Sequence, residues 1–306
     1  MQKFERRGLV FCPPGFGWAR THGQNPFTQD LGGGRVRVHF CCRDECNRSR
    51  GGSIDLTWDA LATPTSPRTD PRMTLDLGAE GAFDDSGAMP HSIVDVDSRL
   101  YLYYTGWSMA AAAPFSFHIG LAVSDNGGET FDRISPDPVL GPDQGDPYIN
   151  GAPFVVREGD RFRMWYSAGT GWDDADPPKP RYTIKHAWSD DGVRWQTSDH
   201  PCIERRPGED GLARPVVYRR NGEYRMLFSF RGDQGTYRVG NAVSRNAINW
   251  KRVPERFLDV AEDGWDSEMV CYAWPFERDG DFFLVYNGNG YGADGFGVCK
   301  FISSGE

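Results

Sequence analysis

The residues able to do chemistry are scattered along the 306-residue chain. Glu268, in Trp265-Asp266-Ser267-Glu268-Met269-Val270, is an acid among apolar neighbours. That setting raises a carboxyl pKa and suits a proton donor. Asp266, two residues earlier, and Asp146, in Gly145-Asp146-Pro147-Tyr148, are the companion acids for general acid/base work. The plainer readings are a loop cap or ion pair for Glu268 and an ordinary turn for Asp146. His91, directly after Pro90, and His22, just before Pro26, are candidates for acid/base or ligand contact, against a hydrogen-bonded structural role. Arg43, Arg214 and Arg231 end apolar runs, and their planar forks match carboxylate and phosphate. Ion pairing with Asp44, Asp210 and Asp233 is the alternative. Gln24 offers an amide for hydroxyl groups. Asn287, Asn289 and Tyr291 lie in a Gly-rich NGNGYG run that permits close approach of a ligand, or simply a tight turn. Trp107 and Trp172 are candidate platforms for a sugar ring, or packing residues.

Groups so distant in sequence need a scaffold, and a repeat supplies one. Asn25-Pro26-Phe27, Met89-Pro90-His91, Ala152-Pro153-Phe154, Arg214-Pro215-Val216 and Trp274-Pro275-Phe276 place prolines 64, 63, 62 and 60 residues apart. Each start leads to an aromatic, alternating segment: RVRVHFCCRD (35–44), RLYLYYTGW (99–107), RFRMWYSAG (161–169), EYRMLFSFRG (223–232) and DFFLVYNGNG (281–290). Turn residues such as Gly159-Asp160, Asn221-Gly222 and Asp279-Gly280 precede them, the pattern of hairpins. Third segments follow at 52–58, 117–125, 182–190, 237–245 and 295–301, and fourth strands read at 72–78, 131–135, 195–204 and 256–261. Ser-Asp turns at Ser124, Ser189 and, as Ser-Arg, Ser244 read as self-bonded turns. The pattern predicts an all-β, five-bladed β-propeller with four antiparallel strands per blade, one domain over 1–306. The last unit lacks a fourth strand, and the spare segment Arg6–Cys12 is expected to close the ring. First-strand starts and second-strand ends then meet at one mouth of a central channel, which also gathers Asp84, Tyr148, Asn150, Glu209 and Tyr272.

Composition narrows the function. Acids exceed bases, 43 against 34, a net charge of −9 that argues against a nucleic-acid binder. No apolar run reaches the roughly 18 residues of a membrane span. The start MQKFERRGLVFCPPG lacks a secretory apolar run, so the cytoplasm is the expected address. Seven cysteines in that setting read as thiols, and Cys41, Cys42 and Cys46 lack the second ligand pair of a zinc site. No resident cofactor is expected. A divalent ion in the channel is compatible with His91 and Asp146, which alone do not make a site.

Five blades, proline-marked inner strands and RFRMWYS-like second strands resemble the five-bladed β-propeller glycosidase superfamily, over essentially the whole chain. Its members include arabinanases and xylosidases, invertase-type fructosidases and mannoside phosphorylases. The resemblance implies a glycoside hydrolase-like enzyme that uses carboxylates on a small sugar or sugar conjugate, anionic if the three arginines are unpaired. One departure stands out. The first-blade slot that usually holds an Asp-Pro pair reads Gln24-Asn25-Pro26, which supplies neither nucleophile nor base. Mannoside phosphorylases, with one direct acid and phosphate as the attacking group, are the nearer precedent. A non-catalytic sugar-binding propeller, and a biosynthetic enzyme performing transfer, phosphorolysis, cyclisation or elimination on a sugar-derived metabolite, are the rival readings.

Overall fold

The computed structural model describes residues 2–109, 114–142, 148–176, 178–232 and 235–304. Its strands, in chain order, are β1 (Gln2–Phe11), β2 (Thr21–Gly32), β3 (Arg35–Arg43), β4 (Ser49–Thr57), β5 (Arg72–Leu75), β6 (Gly87–Val96), β7 (Arg99–Ser108), β8 (Ser116–Ser124), β9 (Asp132–Arg133) and β10 (Asn150–Glu158). They continue as β11 (Arg161–Trp172), β12 (Pro180–Ser189), β13 (Gln196–Thr197), β14 (Gly211–Arg220), β15 (Glu223–Arg231), β16 (Tyr237–Ser244), β17 (Lys251–Arg252), β18 (Cys271–Arg278), β19 (Asp281–Asn287) and β20 (Phe296–Ser304). Two helical turns, α1 (Trp58–Ala62) and α2 (Asn289–Gly292), complete the set, and no described helix is long and apolar enough to cross a membrane.

The hairpins form for the reason read from the sequence. Asn221-Gly222 and Asp279-Gly280 both take positive φ at each residue, 53° and 80°, then 51° and 82°. Only such mirror-image turns match the right-handed twist of the flanking strands. Asp97-Ser98 does the same without a glycine, at 50° and 71°.

Strand pairing is antiparallel within four-strand groups. β2 to β5 and β6 to β9 form one sheet, joined by the single parallel pair Ser49↔Gly87. β10 to β13 and β14 to β17 form a second, joined by Tyr182↔Gly211. The third runs β18-β19-β20-β1, so the N-terminal strand completes the C-terminal group, pairing from Gln2↔Ser304 to Phe11↔Phe296. The fourth strand of the β14 group is Lys251–Arg252 and not 256–261, where Leu258 makes only an isolated bridge to Val239. Ile119↔Leu140 and Ile184↔Ile203 repeat that bridge in two other groups.

Packing lies between the groups. A core of Val10, Phe11, Phe40, Phe283, Phe296 and Val298 fixes β1 and β20 against β3. Aromatic residues of second strands pair in register with glycines on third strands, Phe40↔Gly52, Tyr104↔Gly120, Phe228↔Gly240 and Tyr286↔Gly297, and at Gly120 and Gly240 the paired ring itself lies over the glycine. A Cβ on Gly240 would lie 2.8 Å from the Phe228 ring, so the glycine makes room for the ring. The Ser turns are self-bonded as read: Ser124 Oγ accepts from the Gly128 amide and Ser189 Oγ from the Gly192 amide, both at 2.9 Å.

Candidate functional site

Each first strand carries a β-bulge where the prolines stand. The register slips between Gln24 and Phe27 in β2, Pro90 and Ser92 in β6, Gly151 and Phe154 in β10, Ala213 and Val216 in β14, and Cys271 and Trp274 in β18. A bulge re-aims a side chain, and four of these hold a non-glycine residue at positive φ: Asn25 (57°), Ala152 (50°), Arg214 (52°) and Tyr272 (56°). That conformation is costly, of order 1–3 kcal/mol, and needs fixing from outside. A side chain at the end of a neighbouring second strand does so by accepting the bulge amide. Ala152 donates to Thr105 Oγ1 (2.8 Å), Arg214 to Ser167 Oγ (3.3 Å), Tyr272 to Ser229 Oγ (2.8 Å) and Asn25 to Asn287 Oδ1 (2.9 Å). The last link ties the C-terminal group to the N-terminal one.

The bulges surround a cavity of about 460 Å³. Of the expected residues, Gln24, Arg43, His91, Trp107, Arg231 and Tyr291 line it. The sequence reading missed Tyr182, Tyr237, Phe115, Phe117 and Lys179, which also line it. Tyr182 and Tyr237 open the third segments that had been read only as strands. Tyr237 meets Tyr272 and Tyr291 at 5.8 and 5.9 Å between ring centroids, so an aromatic wall faces the cations. Burial raises the Tyr182 and Tyr272 hydroxyl pKa values above the ordinary range, leaving both as hydroxyl donors.

Arg43 and Arg214 escape the ion pairs that were the alternative for them, while Arg231 keeps a long one with Asp210. Arg43 donates to Gln24 Oε1 and Asn47 Oδ1, both at 2.9 Å, while Asp44 is held by Arg48 and Arg50. Arg214 is 2% exposed; it donates to His91 Nδ1 (2.7 Å) and to the carbonyls of Asn25 (3.3 Å) and Pro26 (3.2 Å). Burial pushes its pKa down to about 9, which leaves it cationic at neutral pH. Arg231 donates to the Pro180 carbonyl at 2.7 Å and reaches Asp210 only at 3.6 Å; its buried Nε has no hydrogen bond. Asp233 lies outside the described residues. Among the described lining residues there is no carboxylate.

The acids have other positions. Asp266 is 2% exposed and accepts from Arg6 Nε (2.6 Å) and the Tyr286 hydroxyl (2.8 Å), clamping β1 to the last group. Asp84 does the same with Arg133 Nε (2.7 Å) and the Tyr104 hydroxyl (2.9 Å). Glu209 pairs with Arg252 at 2.7 Å, and Arg252 lies over Phe228, the counterpart of those tyrosines. Each is a carboxylate–arginine buttress joining a first-strand entry to an outer strand. Asp146 lies outside the described residues; in sequence it stands 20 residues before Tyr166, as Asp84 does before Tyr104 and Asp266 before Tyr286. Glu268 is exposed and outside the cavity lining, so the apolar enclosure suggested by its neighbours is absent.

The remaining candidates divide. Asn287 is fully buried and bonds Gly23 and Gly295 carbonyls as well as the Asn25 amide, which makes it a link between the C-terminal and N-terminal groups. Asn289 Oδ1 accepts the Glu268 and Met269 amides. His22 lies beside Arg43, outside the lining; burial and that cation lower its pKa to about 4. Trp172 lines a separate cavity of about 560 Å³ with Lys185, Asp199, Glu204 and Arg205. Its ring meets Phe115 edge-on at 5.2 Å. No group of three His, Cys, Asp or Glu among the described residues forms a metal site.

Comparison with known proteins fits this geometry. The chain is 36% identical over 303 residues to the uncharacterized protein Rv1502 of Mycobacterium tuberculosis, covering 97% of this chain and 98% of that one. A stretch of 127 residues, 39% of this chain, is 28% identical to the 1,2-beta-oligomannan phosphorylase of Thermoanaerobacter sp. strain X514 and spans 43% of that enzyme. A solved glycoside hydrolase superposes with a TM-score of 0.77 at 14% identity, covering 100% of this chain and 93% of that chain. No family model matches. The fold is therefore the β-propeller of glycoside hydrolases, as the resemblance implied; activity has to be argued from the site.

Proposed function

Because the chain belongs to the same family as Rv1502 of Mycobacterium tuberculosis and has the glycoside hydrolase propeller fold, we propose that its central cavity takes, and acts on, a small sugar or sugar conjugate bearing a phosphate or carboxylate. One observation carries this reading. Arg43, Arg231 and Lys179 line a cavity that has no carboxylate among its described lining residues. Arg43 has no carboxylate partner and Arg231 only the long contact to Asp210 at 3.6 Å, and guanidinium groups so placed bind a planar or tetrahedral anion well. Trp107 and the tyrosine wall provide apolar faces for a sugar ring. In this reading the four-strand groups are five blades around one channel, supported by the amide links that run from group to group and return through Asn287 to Asn25.

Ordinary glycoside hydrolysis needs two carboxylates flanking the bond. The cavity favours a reaction that needs fewer. Phosphorolysis of a small glycoside is the second reading: phosphate attacks without a base, and one acid protonates the leaving oxygen. It is favoured by the cationic lining and by the stretch similar to an oligomannan phosphorylase. Asp146 is the acid nominated for that proton.

Calorimetric titration with mannose 6-phosphate, glucuronate, mannose and inorganic phosphate tests the proposal. One charge-assisted hydrogen bond contributes about 1.5–3 kcal/mol, so the anionic sugars are expected to bind at least about tenfold more tightly than mannose. Equal affinity for charged and neutral sugars would overturn it.

A further inference from the structure

We infer that Arg214 is a positioning residue for His91: it fixes the imidazole in the tautomer that carries hydrogen on Nε2 and presents that N–H as a permanent donor to the anion in the cavity. The inference deepens the proposed function and rests on it for the identity of the acceptor, though not for the state of the ring.

The geometry leaves one arrangement. His91 stands in the β6 bulge and Arg214 in the β14 bulge, 123 residues apart, with Arg214 Nη1 2.7 Å from His91 Nδ1. A guanidinium has donors only. Nδ1 must therefore accept, and the ring proton sits on Nε2. Arg214 cannot swing away: its Nη2 is held by the Asn25 and Pro26 carbonyls, and its guanidinium lies 6.0 Å from the centre of the Trp274 ring. Protonating Nδ1 would set two cations in contact at a site where both residues are at most 3% exposed. Burial and Arg214 accordingly hold the His91 pKa well below the usual value. Nε2 has no hydrogen-bond partner among the described residues, while His91 lines the cavity.

The surroundings add nothing that would reverse this. β3 contributes the cation Arg43 and the Cys41 thiol, pushed up to about 11 by burial. β2 contributes Gln24 and Asn25, β7 Trp107, and β10 only Gly151 and Ala152. Across the cavity stand Arg231, Lys179, Tyr182, Tyr237, Tyr291 and Tyr272, with His22 beside Arg43. The described lining offers no carboxylate to stabilise an imidazolium. His91 is thus a hydrogen-bond donor polarised by a buried cation behind it, and not a proton shuttle. Arg214 in turn is a buried cation without a carboxylate partner among the described residues, a costly state that an anion in the cavity would offset.

Long-range 1H–15N correlation spectra of the 15N-histidine-labelled, ligand-free protein between pH 5 and 8 test the lock. The expected spectrum shows His91 with an unprotonated Nδ1, a protonated Nε2 and no titration. A titration midpoint near 6–6.5, or a proton on Nδ1, would overturn it. In Arg214→Met, His91 is expected to titrate in this window. Glucuronate, whose charge is constant there, is expected to bind wild type within twofold from pH 5.5 to 8, and to bind Arg214→Met at least fivefold more tightly at the acid end. A pH-independent variant would overturn the role of Arg214; if the variant does not fold, the wild-type spectrum decides. A locked ring with no binding of glucuronate or mannose 6-phosphate would overturn the anion reading and leave the tautomer assignment standing.

Discussion

Replacing Arg6 by methionine separates a buttress from a catalytic acid at Asp266. The substitution removes the guanidinium from Asp266 Oδ2 (2.6 Å) and from the Asp259 carbonyl (2.6 Å) and leaves the Tyr286 hydroxyl as the partner of a carboxylate 2% exposed. Breaking a fully buried pair costs about 3–5 kcal/mol. The Arg6 side chain is 31% exposed, so water screens part of the attraction, and about 2–3 kcal/mol is the fitting figure. At about 2.1 cal/mol/K per residue, 306 residues give an unfolding entropy near 0.64 kcal/mol/K, so Tm should fall by about 3–5 °C. Scanning calorimetry measures the shift. Asp266→Leu in the same chain should recover most of it, since the stranded charge goes too, while sugar binding in the central cavity stays unchanged. If Asp266→Asn abolished ligand binding or turnover with Tm unmoved, the buttress reading would be refuted.

Other consequences follow from the same packing. His39 and His91 are buried with folded pKa values below 6.5, His39 at about 3. The unfolded chain therefore binds protons that the folded one does not, and stability rises with pH. As pH falls below 6.5, each ring costs about 1.4 kcal/mol per pH unit, for His39 down to its folded pKa of about 3. Urea midpoints should drop clearly between pH 7 and 5, and identical midpoints would contradict it. Gly120→Ala drives a methyl into the Tyr104 ring and should destabilise by about 1–3 kcal/mol; a neutral effect on the urea midpoint would show that the ring moves freely. Asn287→Ala removes three buried bonds and should lower Tm by several degrees without weakening sugar binding, whereas lost affinity at unchanged Tm would make it a ligand contact.

Much of this was legible because hairpins are local. The Asn221-Gly222 and Asp279-Gly280 turns and the spare N-terminal strand carry their meaning in a few adjacent residues, and the proline spacing shows because the same local unit recurs every 60 to 64 residues. The fourth strands do not: β17 pairs through two residues, too few for any period to register, and the expected segment at 256–261 is merely more apolar. Acids were read from local context, yet Asp266 is explained by Arg6, 260 residues away. A signal did exist in the 20-residue interval from Asp84 to Tyr104 and from Asp266 to Tyr286. Likewise Thr105, Ser167, Ser229 and Asn287 each follow the aromatic residue of a second strand, which marks Asn287 as one of the amide-fixing set. Tyr182 and Tyr237 begin strands, and only the meeting of those strands around the cavity shows which way they face.

The most direct test is a crystal structure with mannose 6-phosphate. The account predicts the sugar in the central cavity, its phosphate held by Arg43 or Arg231 and within hydrogen-bond distance of His91 Nε2. A phosphate bound elsewhere, with the sugar ring alone in the cavity or the cavity empty, would contradict it.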